Sequence, residues 1–580
     1  MAYLNRMVFW DGTGPQIWRI AVPLIWLVLL SNQPVVAAAN QGPRLEVVGA
    51  VQDSQGRGVA GARVRVELFS QPLTPETEEA IITDKYGRFH GRLVLAAEVA
   101  PPREVVLQVS KPSWQSQAVR VPVQPGLGPY NYQAMLVISL DRQVTPAFWL
   151  ATGILLGVYL LIMLEWLHRA LAALLGAALM LLVSYTIGQF SSNFFIISFE
   201  EAIAAIDMNV ILLLLGMMLL VGIMKKTGLF QWLAYQSFVW AKGRVVVLVV
   251  ILMGVTAVIS AFLDNVTTML LLLPVSLELA KTLQMQPMAL LIPEVFASNV
   301  GGTATLIGDP PNILIGSYAN LTFVDFLRHL TPVVFLCLAV ACGYFLWYYR
   351  RDYARASAVA SATIAEKFRE RAYLKDRRLL SLCLGFLAVT VLLFICQGIL
   401  GMEPAIAALM GATMLLAVSR INIATLLAEE IEWPTLIFFM ALFMVMAGAE
   451  ATGLLQLIAQ DIRELSQENL LLAIMLVLWV SALLSAFIDN IPLTLTLLPV
   501  ISSLNITLPG AESGVLWWAL ALGACLGGNG TLIGASANVV TVGMASRAGY
   551  NISFRDYAQA CFPPMLLTVG VCTGYLLLLR

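Results

Sequence analysis

The sequence predicts an all-α polytopic membrane protein with two inverted repeats, each of about five crossings plus a re-entrant hairpin, preceded by a small extracytoplasmic β-sandwich. Three observations carry this. Of 580 residues, 59% are hydrophobic and 12% charged, with a mean hydropathy of +0.83. That is more apolar surface than a soluble fold can bury. Residues 40–142 depart from this pattern, being polar and alternating. Finally, the run "SAFLDNVTTMLLLLPV" from Ser260 returns as "SAFIDNIPLTLTLLPV" from Ser485, each with an Asp-Asn pair inside it. The net charge of −1 gives no sign of a nucleic-acid partner. All seven cysteines fall in apolar segments, so the polar part has no disulfide framework. No Cys-x-x-Cys or histidine cluster suggests a metal site, and no cofactor is expected beyond bound sodium ions.

Residues 1–39 read as a signal peptide or signal anchor. Arg6 and Arg19 precede the apolar run from Ile20 to Leu30, and Ala37-Ala38-Ala39 offers a cleavage site. Either reading places the next segment outside the cytoplasm. Residues 40–142 carry short alternating runs such as "LEVVGAV", "ARVRVELF" and "EVVLQVS", separated by "DSQGRG" and "TDKYGR". This is the spacing of a β-sandwich. "VVGAVQDSQGRGVAGARV" followed by "TDKYGRF" resembles the transthyretin-like and carboxypeptidase-regulatory-like sandwich domains, a fold that by itself says little about function.

From Pro146 the chain is almost wholly apolar. Spans of membrane-crossing length begin near Phe148, Ala170, Val210, Val245, Met288, Thr331, Leu379, Pro404, Thr435, Leu471, Val515 and Cys561. An internal repeat organises them. Asp264-Asn265 matches Asp489-Asn490, and "VGGTATLIGDPPN" (Val300 to Asn312) matches "LGGNGTLIGASAN" (Leu526 to Asn538). Gly228 aligns with Gly453 and Gly176 with Gly411. The first repeat is expected over 146–349, a cytoplasmic linker over 350–378 and the second repeat over 379–580.

Lys and Arg set the orientation. The linker is strongly basic, and Lys225, Lys226, Lys242, Arg244 and Lys281 also belong on the cytoplasmic side. The stretch "GQFSSNFFIISFEEAIAAID" has no Lys or Arg and belongs outside. These assignments agree if the segment from Arg244 to Lys281 enters and leaves on one side, as a hairpin with Asp264-Asn265 at its tip. An odd number of crossings then inverts the second half, whose hairpin enters from outside.

An ionised carboxylate near the bilayer midplane costs at least ~2.5–3.5 kcal/mol on insertion scales. It persists where it faces water, a partner or an ion. Two tips entering from opposite sides form the binding geometry of inverted-repeat transporters. Asp264, Asn265, Thr267, Thr268, Asp489, Asn490 and Thr494 are therefore candidate ion or substrate ligands, with sodium at Asp264/Asn265 and Asp489/Asn490. The competing reading is that both aspartates cap broken helices. In the second motif, Gly301-Gly302 and Pro310-Pro311 do not suit a helix interior. Unwinding is expected from Gly301 to Thr305 and again near Asp309, freeing carbonyls and N–H groups beside Thr303 and Thr305. Gly527, Gly528, Asn529 and Thr531 repeat the design. The competing reading here is helix packing by small residues.

The halves differ where Ala535 replaces Asp309 and Ser536-Ala537 replaces Pro310-Pro311. Asp309, Asn312 and Asn538 are candidates for coupling or tuning. His168 and Arg169 fall in a cytoplasmic turn and read as interfacial. Asp207 and Glu432, at matching helix starts, read as caps or dipole partners.

"FLDNVTTMLLLLPV", "GGTATLIGDPPN", "SAFIDNIPLTLTLLPV" and "CLGGNGTLIGASANVV" resemble the melanosomal P protein family and its bacterial relatives in the ArsB/NhaD group of the ion transporter superfamily. That group is distantly similar to the divalent anion/sodium symporters. The resemblance runs from about residue 146 to the end. It implies a scaffold-plus-transport-domain fold, commonly a homodimer, with elevator-type alternating access. It also implies ion transport linked to pH, as sodium/proton exchange in one branch and arsenite export in the other. Cys525 and Cys561 are isolated, so no arsenite-binding pair is present in the sequence.

The resulting expectation is a non-enzymatic secondary active transporter, sodium/proton-coupled, in the bacterial inner membrane with its β-domain outside. The alternative on the same fold is a sodium-coupled anion or dicarboxylate transporter. More remote are an arsenite exporter, an intramembrane aspartyl protease built on the two aspartates, and a membrane-anchored sensor.

Overall fold

The computed structural model describes residues 44–53, 58–59, 62–67, 81–84, 87–94, 104–111, 114–115, 117–125, 132–140, 144–164, 166–359, 374, 376–466 and 469–579. The expected signal segment and most of the expected linker lie outside the described residues. The chain divides into two units near residue 142.

The first unit has strands β1 (Arg44–Asp53), β2 (Arg63–Glu67), β3 (Ile81–Ile82), β4 (Arg88–Val94), β5 (Glu104–Ser110), β6 (Gln117–Pro122), β7 (Gln124–Pro125) and β8 (Tyr132–Leu140). They form two four-stranded sheets, ordered β4-β1-β8-β7 and β3-β2-β5-β6. β1 runs antiparallel to β4 and parallel to β8. Alternation in sequence becomes alternation in burial: Val105, Leu107 and Val109 on β5 are buried between more exposed neighbours.

The second unit is helical. Seven of its described helices are long and apolar enough to cross a membrane. In chain order the described helices of six or more residues are α1 (Pro146–Met163), α2 (Arg169–Tyr185), α3 (Phe199–Ala204), α4 (Met208–Lys225), α5 (Leu229–Trp240), α6 (Val245–Ser260), α7 (Asn265–Thr282), α8 (Met288–Gly302), α9 (Pro310–Ala319), α10 (Phe323–His329), α11 (Thr331–Tyr348) and α12 (Arg350–Val359). The second half follows as α13 (Arg377–Leu400), α14 (Pro404–Ser419), α15 (Ile423–Glu429), α16 (Trp433–Thr452), α17 (Leu454–Leu465), α18 (Leu470–Ser485), α19 (Asn490–Thr507), α20 (Val515–Gly527), α21 (Ser536–Arg547) and α22 (Phe554–Leu579).

The duplicated motifs break the helices at matching points. α6 ends at Ser260 and α7 starts after Asp264; α18 ends at Ser485 and α19 starts after Asp489. α8 gives way to α9 through residues 303–309, and α20 to α21 through 528–535. The break is thus one continuous stretch, and Gly301-Gly302 close the last helical turn rather than start the unwound segment. Close packing requires these glycines: a Cβ on Gly301 would run into the backbone of Ala257, and one on Gly527 into that of Ala482. Prolines are not the shared cause, because Ser536-Ala537 leaves the same break without them. Thr305 and Thr531 instead pin the two loops, each donating its hydroxyl to a hairpin-tip carbonyl, of Ala261 and Ala486 respectively.

Candidate functional site

Both Asp-Asn pairs sit at helix starts. Asp264 caps α7, its Oδ2 accepting from Thr267 N at 3.1 Å and Thr267 Oγ1 at 3.3 Å. Asp489 caps α19, accepting from Ile491 N at 3.1 Å. Capping is therefore present, and the site lies just beyond the caps. A narrow cleft holds ≈ 30 Å³, room for a water or two. Its walls include Asp264, Asn265, Asp309, Asn490, Ser536 and Arg169. The N-termini of α7, α9, α19 and α21 all contribute to it, so two helix starts from each half converge.

The halves meet through buried amides. Asn490 Nδ2 donates to Asp309 Oδ1 at 3.4 Å. Asn265 Nδ2 donates to Asn299 Oδ1 at 3.1 Å, and Asn299 Nδ2 reaches Asn529 Oδ1 and Asn538 Oδ1, both at 3.0 Å. Asn312 and Asn538 do the same work in each half. The Asn312 amide donates to the carbonyls of Thr303 and Thr305, and that of Asn538 to Gly528 and Thr531, so each side chain braces its own unwound loop.

The hydroxyl protons of Thr303, Thr305, Thr494 and Thr531 all go to backbone carbonyls, which leaves only their lone pairs for an ion. Asn265 Oδ1, Thr268 Oγ1, Asp309 Oδ2 and Asn529 Nδ2 are buried without a hydrogen-bond partner. Such groups are rare in a finished interior and mark a place for a ligand or water. Among the predicted residues, Asp264, Asn265, Asp309 and Asn490 line the cleft, while Asp489 approaches it through Ser536. The glycines 301, 302, 527 and 528, with Thr268, Thr303, Thr305, Thr494, Asn529 and Thr531, are not in its lining.

Asp309 sits at the centre of this arrangement. It is fully buried and faces the tip of the opposite half.

Arg169 corrects the sequence reading. Its side chain is engaged in the cleft rather than free in a turn. From the start of α2 its Nη1 bonds Ser536 Oγ and stands 4.0 Å from Asp489 Oδ2, while Nη2 donates to Thr435 Oγ1 at 3.0 Å. Its guanidinium also lies 5.5 Å over the Phe438 ring. Ser536 Oγ in turn donates to Asp489 Oδ2 at 2.9 Å. Glu432 likewise does more than start a helix. It makes no side-chain cap, accepts from Thr435 Oγ1 at 3.1 Å and lines the cleft. Asp207 behaves as expected, capping α4 through Asn209 and Val210.

The cleft is chemically lopsided. On the first-half side, α9 opens with Pro310-Pro311, which carry no N–H, next to the free oxygens of Asn265 and Asp309. On the second-half side, α21 opens with Ser536 and Ala537, whose N–H groups have no side-chain cap, next to Arg169. An uncapped helix start beside a guanidinium suits an anion; an oxygen-only wall suits a cation. A cavity of ≈ 240 Å³ adjoins the cleft at Leu214, Met218, Asp264 and Glu432. Its far side carries Lys225, paired with Glu430 at 3.0 Å.

Apolar helices, paired breaks and a polar cleft between two halves define an integral membrane transporter rather than an enzyme. The chain belongs to the CitMHS citrate transporter family, whose model matches residues 159–523. An uncharacterized transporter of Mycobacterium tuberculosis strain H37Rv is 37% identical over 427 residues, 73% of this chain and 97% of the relative. The 46 kDa membrane protein of Mycobacterium leprae is 36% identical over 74% of this chain and 97% of its own. The human P protein is 33% identical over 83% of this chain and 65% of its own. Among solved structures, 3-chlorocatechol 1,2-dioxygenase from Rhodococcus opacus overlays 18% of this chain and 62% of its own, at a TM-score of 0.15 and 14% identity, which carries no argument.

Proposed function

We propose that this protein carries a small carboxylate-bearing anion across the membrane, coupled to sodium or protons. The observation that carries the proposal is the lopsided cleft. Arg169, Ser536 and the uncapped start of α21 form its anion wall; Asn265, Asp309 and Asp264 form its cation wall. The family's description as a citrate transporter agrees with an anion of this kind. The cleft as it stands is too small for such a molecule, and the adjoining cavity beside Lys225 and Glu430 is its route of entry. The second half, repeating the first with the same breaks, is read as its inverted copy. The two sheets before residue 142 are read as an extracytoplasmic sandwich. Alternating access follows an elevator-type movement in a homodimer of the bacterial inner membrane, with residues 350–378 in the cytoplasm.

A second reading is sodium/proton exchange with no anion. It is favoured by the three aspartates at or beside the cleft. In that case Arg169 serves only to balance Asp489. Reconstituted protein with a pH-sensitive dye separates the two when sodium, potassium, chloride and citrate are changed in turn. Citrate-dependent signals support the anion reading. Sodium-driven proton movement in the absence of any carboxylate supports exchange.

A further inference from the structure

Outside the cleft, the described residues of the first half include one more fully buried carboxylate. Glu294, on α8, is 1% exposed. Its Oε1 lies 2.8 Å from Ser276 Oγ on α7, and its Oε2 has no partner. It makes no ion pair among the described residues. The charged groups on the helices packed against α8 are Glu278 and Lys281 on α7, Arg547 on α21, and Arg555 and Asp556 on α22. None of them bonds Glu294. Neither do the cysteines and tyrosines of α11, α20 and α22. Glu278 is engaged by Tyr235 Oη at 2.6 Å.

An ionised carboxylate held by a single hydroxyl in such an interior costs several kcal/mol. The hydroxyl itself points to the other state. Ser276 Oγ lies within reach of two acceptors, Glu294 Oε1 and the Leu272 carbonyl at 3.3 Å, yet carries one hydrogen. Two full, unshared bonds form together only if Glu294 supplies a proton to Ser276 and Ser276 passes its own to Leu272.

The second half shows that the fold does not need these polar groups. By the alignment of the repeats, Glu294 corresponds to Leu520, Ser276 to Ile501, Thr268 to Leu493 and Ser298 to Ala524. At these four positions the first half is polar and the second apolar. Thr268, Leu272 and Ser276 share one face of α7 at four-residue spacing. Ser298 lies one turn beyond Glu294 on α8, and its Oγ is 3.1 Å from Ser260 Oγ and 3.4 Å from the Asn265 carbonyl at the hairpin tip.

We propose that Glu294 is a second proton-binding site, occupied as the acid against Ser276 and placed on the polar faces of α7 and α8 that lead towards the Asp264-Asn265 tip. One proton is taken up or released per carboxylate. Its role in coupling rests on the transporter reading; its protonation rests on the geometry alone.

The test is infrared spectroscopy of the full chain in lipid, titrated with pH, for wild type, Glu294→Gln and Glu294→Leu. The expected result is a carboxylic-acid carbonyl band at neutral pH that disappears in both variants and survives in Asp309→Asn. Ser276→Ala should shift that band. Glu294→Leu installs the residue type of the second half, so it keeps the test alive if the glutamine variant does not fold. Identical acid bands in wild type and both folded variants overturn the proposal. The readout needs no substrate, so a failure to find transport leaves it standing.

Discussion

Arg169 Nη1 stands 4.0 Å from Asp489 Oδ2, and Ser536 Oγ bonds both side chains. Three segments far apart in sequence thereby place a guanidinium, a carboxylate and an uncapped helix start at one wall of the cleft. In the proposed reading, an arriving carboxylate meets there a cation already oriented by Thr435 and Phe438.

Arg169→Gln should weaken anion recognition while leaving the fold intact. Charge-assisted hydrogen bonds contribute ~1.5–3 kcal/mol, which corresponds to a KM about 10- to 100-fold higher. Arg169→Lys should be nearly as damaging, because one ammonium does not span Ser536 and Thr435 together. Unchanged KM values in both variants would leave Arg169 as a structural partner of Asp489.

Asp264→Asn and Asp489→Asn separate capping from charge. Asparagine caps a helix about as well as aspartate, so thermal stability should hold. Coupled transport should disappear in each variant, since the amide keeps the shape and loses the charge. Wild-type transport in both would reduce the pair to helix caps.

Asp309 should set the response to pH. A carboxylate that holds a cation loses it to a proton, so apparent sodium affinity should fall as pH falls. Asp309→Asn, which removes the carboxylate charge beside Asn490, should shift that profile without erasing it. Sodium titrations of transport at several pH values show the difference; a pH-independent sodium affinity contradicts direct competition.

Gly527→Ala should destabilise the fold, because the added methyl meets the Ala482 backbone. Overpacking of this kind costs about 1–3 kcal/mol. Gly254→Ala is the control: nothing lies within 4 Å of its added methyl, and alanine is the better helix former. Thermal unfolding in detergent should lower the midpoint for the first variant and leave or raise it for the second.

The legible parts of the site were those the chain writes twice. The Asp-Asn tips and the glycine-rich breaks announce themselves because helix-breaking and charged residues recur in register inside apolar runs. Asn299 escaped notice although it joins Asn265 to Asn529 and Asn538, since its partner by alignment is Cys525 and no repeat draws the eye to it. Arg169 looked like a topology signal, because a basic residue at the start of an apolar span is ordinarily an anchor. Only the packing of α2 against the second half takes it to Ser536. The helix break began two residues later than glycine content suggested, because Gly301 serves the close approach of Ala257 while still helical. The β-domain was readable from alternation, whereas its sheet order, with β1 parallel to β8, depends on long-range pairing that no local pattern encodes.

The lopsided cleft is proposed to carry an anion and its coupling cation together. Uptake of radiolabelled citrate into proteoliposomes under an imposed sodium or proton gradient tests it most directly. Gradient-driven uptake is expected, reduced by Arg169→Gln at low citrate and abolished by Asp264→Asn. Sodium-driven proton movement with no uptake of citrate or of smaller carboxylates under either gradient would contradict it.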